Sequence, residues 1–351
     1  MTESQESKPS QILKIHFGLG RDGRWSIDGL FGMALKPCGD QADGFFRIHD
    51  GVLAEQAGLL GTTSFFLGQS IVPVVVQIPG ERSLRCLGTG FFVSCSGLLV
   101  TAAHVITDPV EKKYGGVREL DDRSWHLGDL RLGVMIPLNP LLEGRGYLFR
   151  DIEWAGFLGE RKEHPLRVAG ATLTLSSDTA ICRVSPIAQG VPHQPLAIVQ
   201  PSLVGVGLGV GKNAMAVGYG EMRHVELTGE SGRVLSGDFP FHLHVSEGAI
   251  LERFPDNLSE RRVPTPGPCF SAALRLPPGM SGSPIFDDEG IYVHGVVSRG
   301  WLDEGGIARF GFGSMLAAAM QVPIKPLGNR TLLELQESDE HGFPKLQGPG
   351  L

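Results

Sequence analysis

Three short blocks of this sequence carry the residue types needed for nucleophilic hydrolysis. Thr101-Ala102-Ala103-His104 closes an apolar run that starts at Leu99. Ser177-Asp178 leads straight into the mostly apolar β-like run Thr179–Val184. Pro278-Gly279-Met280-Ser281-Gly282-Ser283-Pro284 sets a serine inside a glycine-rich turn. A serine hydroxyl is a weak nucleophile until an imidazole takes its proton, and the imidazole works best when a carboxylate fixes its tautomer. The oxygen that gains charge during attack also needs backbone N–H groups close by, and small residues beside the serine let the backbone approach. The expected catalytic set is Ser281, His104 and Asp178.

Each block alone is weak, because short motifs arise by chance. Their order discriminates. His104 comes 74 residues before Asp178 (178 − 104), which comes 103 before Ser281 (281 − 178). Subtilisin-type enzymes run Asp–His–Ser and α/β-hydrolases run Ser–Asp–His, the latter within G-x-S-x-G; here position 283 is serine.

These blocks resemble the signatures of the chymotrypsin-like serine peptidases, in the pattern of their intracellular and bacterial members. T-A-A-H matches Thr101–His104, D-x-A-x-x-x-[VL] matches Asp178–Val184, and G-x-S-G-[GS]-P matches Gly279–Pro284. Val217-Gly218-Tyr219-Gly220 is similar to the strand end that opens the family's second barrel. Gly295-Val296-Val297-Ser298-Arg299-Gly300 is similar to its substrate-binding strand. The resemblance spans about residues 70–325 and implies an all-β fold, two antiparallel β-barrels with a C-terminal helix. His104 and Asp178 would sit on the first barrel and Ser281 on the second. It further implies an oxyanion hole made by the N–H groups of Gly279 and Ser281. A peptide substrate would lie along Val297, Ser298, Arg299 and Gly300. The implied activity is that of a serine endopeptidase, with no metal or organic cofactor.

The sequence departs from secreted relatives in three places. Met280 stands where they carry an aspartate that pairs with a freshly cut N-terminal amine, so activation by that route is not expected. Val105 replaces the cysteine that often braces the histidine. Arg275 stands where trypsin has the aspartate at the base of its specificity pocket. A cationic base there, with Arg299 nearby, would repel Lys and Arg side chains. Cleavage after acidic or small apolar residues is expected instead, unless both arginines are simply solvated. The rival reading is a catalytically silent or partner-gated module that uses the same fold to dock peptides.

Composition agrees with a globular β protein. Among 351 residues, 49 glycines and 24 prolines favour short strands and turns, and a net charge of −7 argues against a nucleic-acid surface. The polar start lacks the basic-then-apolar pattern of a secretory signal, and no run reaches the length of a membrane span. Five cysteines without a CxxC pair read as reduced, buried thiols. The cytosol is the expected compartment. The expected partners are a protein or peptide substrate and a regulatory protein, with no nucleic acid and no membrane. His242 and His244 lie on one strand face but lack a third ligand, and the glycine-rich run ending at Lys212 fails the phosphate-loop spacing. The expected division is an extension over 1–68, a first barrel over 69–190, a second over 191–326 with a closing helix around Met315–Val322, and a polar, loosely attached tail over 327–351.

Overall fold

A computed structural model describes most of residues 67–343 apart from parts of several loops, together with strands at Leu13–Leu19, Trp25–Gly32, Leu35–Pro37 and Phe45–Ile48. The chain is mostly β, and its strands form two closed rings. The first ring uses β1 (Ile71–Gln77), β2 (Ser83–Phe92), β3 (Leu98–Thr101), β4 (Leu132–Pro137), β5 (Tyr147–Phe157) and β6 (Ala180–Val184). Antiparallel pairing runs β1–β2–β3–β6–β5–β4 and back to β1, so no edge in this ring is left open.

The second ring uses β7 (Asn213–Tyr219), β10 (Leu243–Phe254), β11 (Cys269–Ala272), β12 (Pro284–Phe286), β13 (Val293–Leu302) and β14 (Ala308–Met315). Its pairing runs β7–β12–β13–β14–β11–β10 and closes on β7. Between β7 and β10 lies the hairpin β8 (Val225–Ser231) and β9 (Val234–Gly237). This hairpin joins the other barrel: Val225 pairs with Leu84 and Leu235 with Tyr147. The Phe45–Ile48 strand pairs with β10 at His244–Ser246, so part of the extension adds to the second sheet.

β-Branched and aromatic residues that face inward make these strands. Phe91, Phe92, Phe149 and Trp154 are buried in the core that the first barrel builds, and Phe270, Ile285 and Val297 in that of the second. The first core continues across the junction through Val217, Tyr219 and Val245. Helix α1 (Ala103–Glu111) follows β3 directly. The closing helix is short, α2 (Leu316–Ala319), and a further helix α3 (Leu332–Ser338) follows it. The expectation of a loose tail is corrected here: Leu332 and Leu335 of α3 are fully buried and Phe343 nearly so. Two leucines one turn apart give this polar stretch a narrow apolar stripe, enough to dock it.

No disulfide links Cys86, Cys95, Cys182 and Cys269. Burial pushes the Cys86 thiol up to about 12 and raises that of Cys182 as well, which makes both poor nucleophiles. Among the described residues no helix is long and apolar enough to cross a membrane.

Candidate active site

His104 is delivered by the end of β3, which is held between β2 and β6. Thr101 and Ala102 are fully buried, and the Thr101 hydroxyl donates to the Thr89 carbonyl at 2.6 Å. The small pair Ala102-Ala103 lets the chain turn from strand into α1 without crowding the cleft. Asp178 sits two residues before β6, only 6% exposed. Its carboxylate meets the His104 ring at 2.8 Å (Oδ2 to Nδ1) and accepts the His104 backbone N–H at 3.0 Å. The Ser298 hydroxyl donates to the same Oδ2.

Burial alone would raise the Asp178 pKa. The hydrogen bond and charge of His104, the Ser298 hydroxyl and the His104 backbone N–H outweigh it, and hold the carboxyl below its ordinary value. An ionised carboxylate only accepts hydrogen bonds, so Nδ1 carries the proton and Nε2 keeps a lone pair. That lone pair can accept a proton.

Ser281 lies at the tip of a turn whose backbone only glycine tolerates. Gly279 and Gly282 have φ of +100° and +88°. A Cβ on Gly282 would lie 1.9 Å from the Thr89 carbonyl oxygen, so the turn is pressed against the first barrel. The Ser281 carbonyl accepts the Thr89 N–H at 2.7 Å, and the Gly282 N–H donates to Val297 at 2.7 Å. Ser281 itself is half-buried, and its hydroxyl donates to the Ser298 carbonyl at 3.1 Å. The backbone hydrogen bonds among the described residues use neither the Gly279 nor the Ser281 N–H. Met280 between them is fully buried in the second core beside Val297 and Leu276.

The expected residues therefore converge. His104 and Asp178 touch directly, and Ser298 links that pair to Ser281, giving its hydroxyl to Asp178 and its carbonyl to Ser281. Ser298 owes this dual contact to a β-bulge: Val297 pairs with Gly313 and Arg299 with Phe312, which leaves Ser298 unopposed and turned toward the first barrel. Val297 is buried, whereas Arg299 and Gly300 are exposed. The Arg275 backbone N–H donates to the Ser246 hydroxyl at 2.8 Å, and its side chain is half-buried. Val297 still bonds the nearby turn, its N–H to the Ser283 carbonyl and its carbonyl to the Gly282 N–H. Past it, β13 has no strand partner on the β12 side among the described residues, so an open edge starts at Ser298, beside Ser281.

Thr89 was missed by sequence reasoning. It is fully buried, and its hydroxyl donates to the Gly279 carbonyl at 3.0 Å while accepting the Tyr219 N–H at 3.0 Å. One side chain of the first barrel thus grips the turn that carries Ser281. The only clue was a polar residue between Gly88 and Gly90 at the start of an apolar strand. Among the described residues no three His, Cys, Asp or Glu side chains gather to hold a metal, and His242 lies outside those residues.

A family model described as a trypsin-like peptidase domain matches residues 88–295, more than half of the chain. No curated relative matches it.

Proposed function

Because this chain belongs to the trypsin-like peptidase family, we propose that it is a serine endopeptidase that hydrolyses peptide bonds through an acyl-enzyme. The observation that carries the reading is the buried Asp178 carboxylate bonded to Nδ1 of His104, which leaves Nε2 ready to take a proton. Ser281 attacks the peptide carbonyl carbon as His104 removes its hydroxyl proton. The resulting oxyanion is met by the Gly279 and Ser281 N–H groups. His104 then gives the proton to the leaving amine, and water repeats the sequence in reverse to free the acid. Asp178 stays ionised throughout and stabilises the imidazolium. To reach Nε2, the Ser281 hydroxyl turns about its Cα–Cβ bond away from the Ser298 carbonyl.

Substrate lies as an added strand on the free edge of β13 at Ser298–Gly300, which gives main-chain hydrogen bonds independent of sequence. Its partners are protein or peptide, and the cysteines without disulfides support a cytosolic location. Reaction of the folded protein with an alkyl fluorophosphonate tests the assignment. One adduct on the peptide that contains Ser281 is expected, absent from Ser281→Ala. One observation favours a second reading, a peptide-binding module silent until a partner engages it: the hydroxyl is bonded to Ser298 rather than shared with an imidazole. No adduct on folded wild-type protein would favour that module.

Thr89 supplies a further expectation. Thr89→Val keeps the shape but leaves the Gly279 carbonyl and Tyr219 N–H unpaired, at about 1–3 kcal/mol of stability for each. A loosened turn misplaces the oxyanion donors, so kcat should drop by roughly tenfold, equal to about 1.4 kcal/mol, while KM changes little. Thr89→Ser, which keeps the hydroxyl, should restore kcat. Steady-state kinetics on one peptide substrate checks both.

A further inference from the structure

Next to the nucleophile lies a notch made by two glycines. Gly300 on β13 and Gly311 on β14 are direct cross-strand partners, so neither strand carries a side chain at that level. A facing pair without side chains lets another group approach both strands closely. The notch is filled from within the same chain. A Cβ on Gly311 would lie 2.1 Å from Leu276 Cδ1 and 2.8 Å from its Cγ. A Cβ on Gly300 would lie 2.4 Å from the Leu276 carbonyl oxygen. Leu276 is 3% exposed and packs with Met280 and Val297, the residues that flank the nucleophile turn and the bulge.

This notch sits where the substrate must place a side chain. On the endopeptidase reading above, on which this inference rests, the attacked carbonyl lies at Ser281 Oγ with its oxygen toward Gly279 and Ser281. The chain leading to it runs along the edge at Ser298–Gly300. The side chain of the residue that supplies the carbonyl then points between β13 and the segment 275–279, onto Leu276. We propose that Leu276 plugs the pocket formed by the Gly300–Gly311 pair, so that the enzyme cleaves after residues with small side chains, glycine, alanine or serine in size.

The physical basis is close packing. Leu276 is buried among atoms that already touch it, and a second large group cannot enter without expelling it. The charges of Arg275 and Arg299 do not set the choice in this scheme. Arg299 is exposed, and the chain at Arg275 is tied to Ser246 by its backbone. A plug of one leucine has a defined size, so its removal has a defined result. Truncation to alanine removes the branched end that meets Gly311, while the backbone carbonyl beside Gly300 stays in place.

The test is a panel of tetrapeptide diphenyl phosphonates that end in the analogues of alanine, valine, leucine, phenylalanine, glutamate and lysine. Inactivation rates are read beside that of a small alkyl fluorophosphonate, which needs the triad but no pocket. Wild type should react with the alanine probe at least about tenfold faster than with the leucine, phenylalanine, glutamate or lysine probe, the range that one or two misfit methylenes produce. Leu276→Ala should raise the rates with the leucine and phenylalanine probes, each taken relative to that variant's own alkyl fluorophosphonate rate, by about tenfold or more. A wild type that prefers phenylalanine, leucine, glutamate or lysine overturns the plug. So does a Leu276→Ala variant that labels normally yet ranks the probes as wild type does. So does a wild type that takes the alkyl probe and none of the six peptides. If Leu276→Ala does not fold, the wild-type ranking decides alone. Loss of the alkyl fluorophosphonate reaction in wild type overturns the endopeptidase reading itself, and the plug with it.

Discussion

Ser281→Ala should lower kcat by roughly 10⁶-fold, and His104→Ala by a similar factor, with the double variant no slower than either. In the proposed mechanism the two side chains act on one proton, so loss of either removes the whole step. What remains comes from substrate positioning and the oxyanion donors, about 10³-fold over water. The two variants should differ in stability. Ser281 loses one half-buried hydrogen bond to the Ser298 carbonyl, worth about 1 kcal/mol. His104→Ala strips the buried Asp178 carboxylate of its ring partner and leaves it with the backbone N–H and the Ser298 hydroxyl. Urea unfolding with matched m-values should show Ser281→Ala close to wild type and His104→Ala clearly weaker. Full activity in Ser281→Ala would move the nucleophile to Ser283.

Asp178→Asn carries the second large effect, a drop in kcat of about 10⁴-fold. An amide in place of the carboxylate turns an N–H toward the ring or offers it a neutral oxygen. In the first case Nε2 carries the proton and the base is lost. Stability should change with pH in a defined direction. The folded carboxyl is held below its ordinary value of about 3.9, so the unfolded chain binds the proton more readily. The stabilisation from Asp178 is therefore fully present above about pH 4 and fades as pH falls through the lower folded value. The gap in unfolding free energy between wild type and Asp178→Asn should narrow between pH 6 and pH 3, measured by urea titration at each pH. A gap that widens on acidification would place the Asp178 pKa above its ordinary value.

Much of the site was legible because its chemistry is local. A histidine after Thr-Ala-Ala, an aspartate at the head of an apolar strand and a serine near glycines can each be picked out within a few residues, and their order singled them out together. The barrels were legible in part for the same reason, since Val72–Val76 and Leu98–Val100 are unbroken apolar runs. What escaped depends on partners far along the chain. Ser298 was read as a substrate contact, and its hydroxyl bond to Asp178 follows from a bulge that only the β13–β14 register creates. Thr89 meets Gly279 across 190 residues. The strand Tyr147–Phe157 was missed because Arg150, Asp151 and Glu153 interrupt its apolar pattern. Arg150 is nonetheless buried, its guanidinium giving hydrogen bonds to the Ser185 carbonyl and His193 and lying 5.8 Å over the Phe92 ring. Burial, with Arg233 near it, brings its pKa down to about 9. A cation buried against a carbonyl, an imidazole and an aromatic ring cannot be told from a solvated one by residue type alone.

The hairpin Val225–Gly237 changes how the chain can assemble. Its bond partners at Leu84 and Tyr147 lie 141 (225 − 84) and 88 (235 − 147) residues back. During synthesis the first ring can close soon after Val184 leaves the ribosome, yet its rim stays unfinished until the hairpin follows. Contacts of such long sequence separation form late, because a large loop must close before they return any energy. The half that holds His104 and Asp178 therefore waits on the half that holds Ser281, and the two barrels reach their final form as one folding unit.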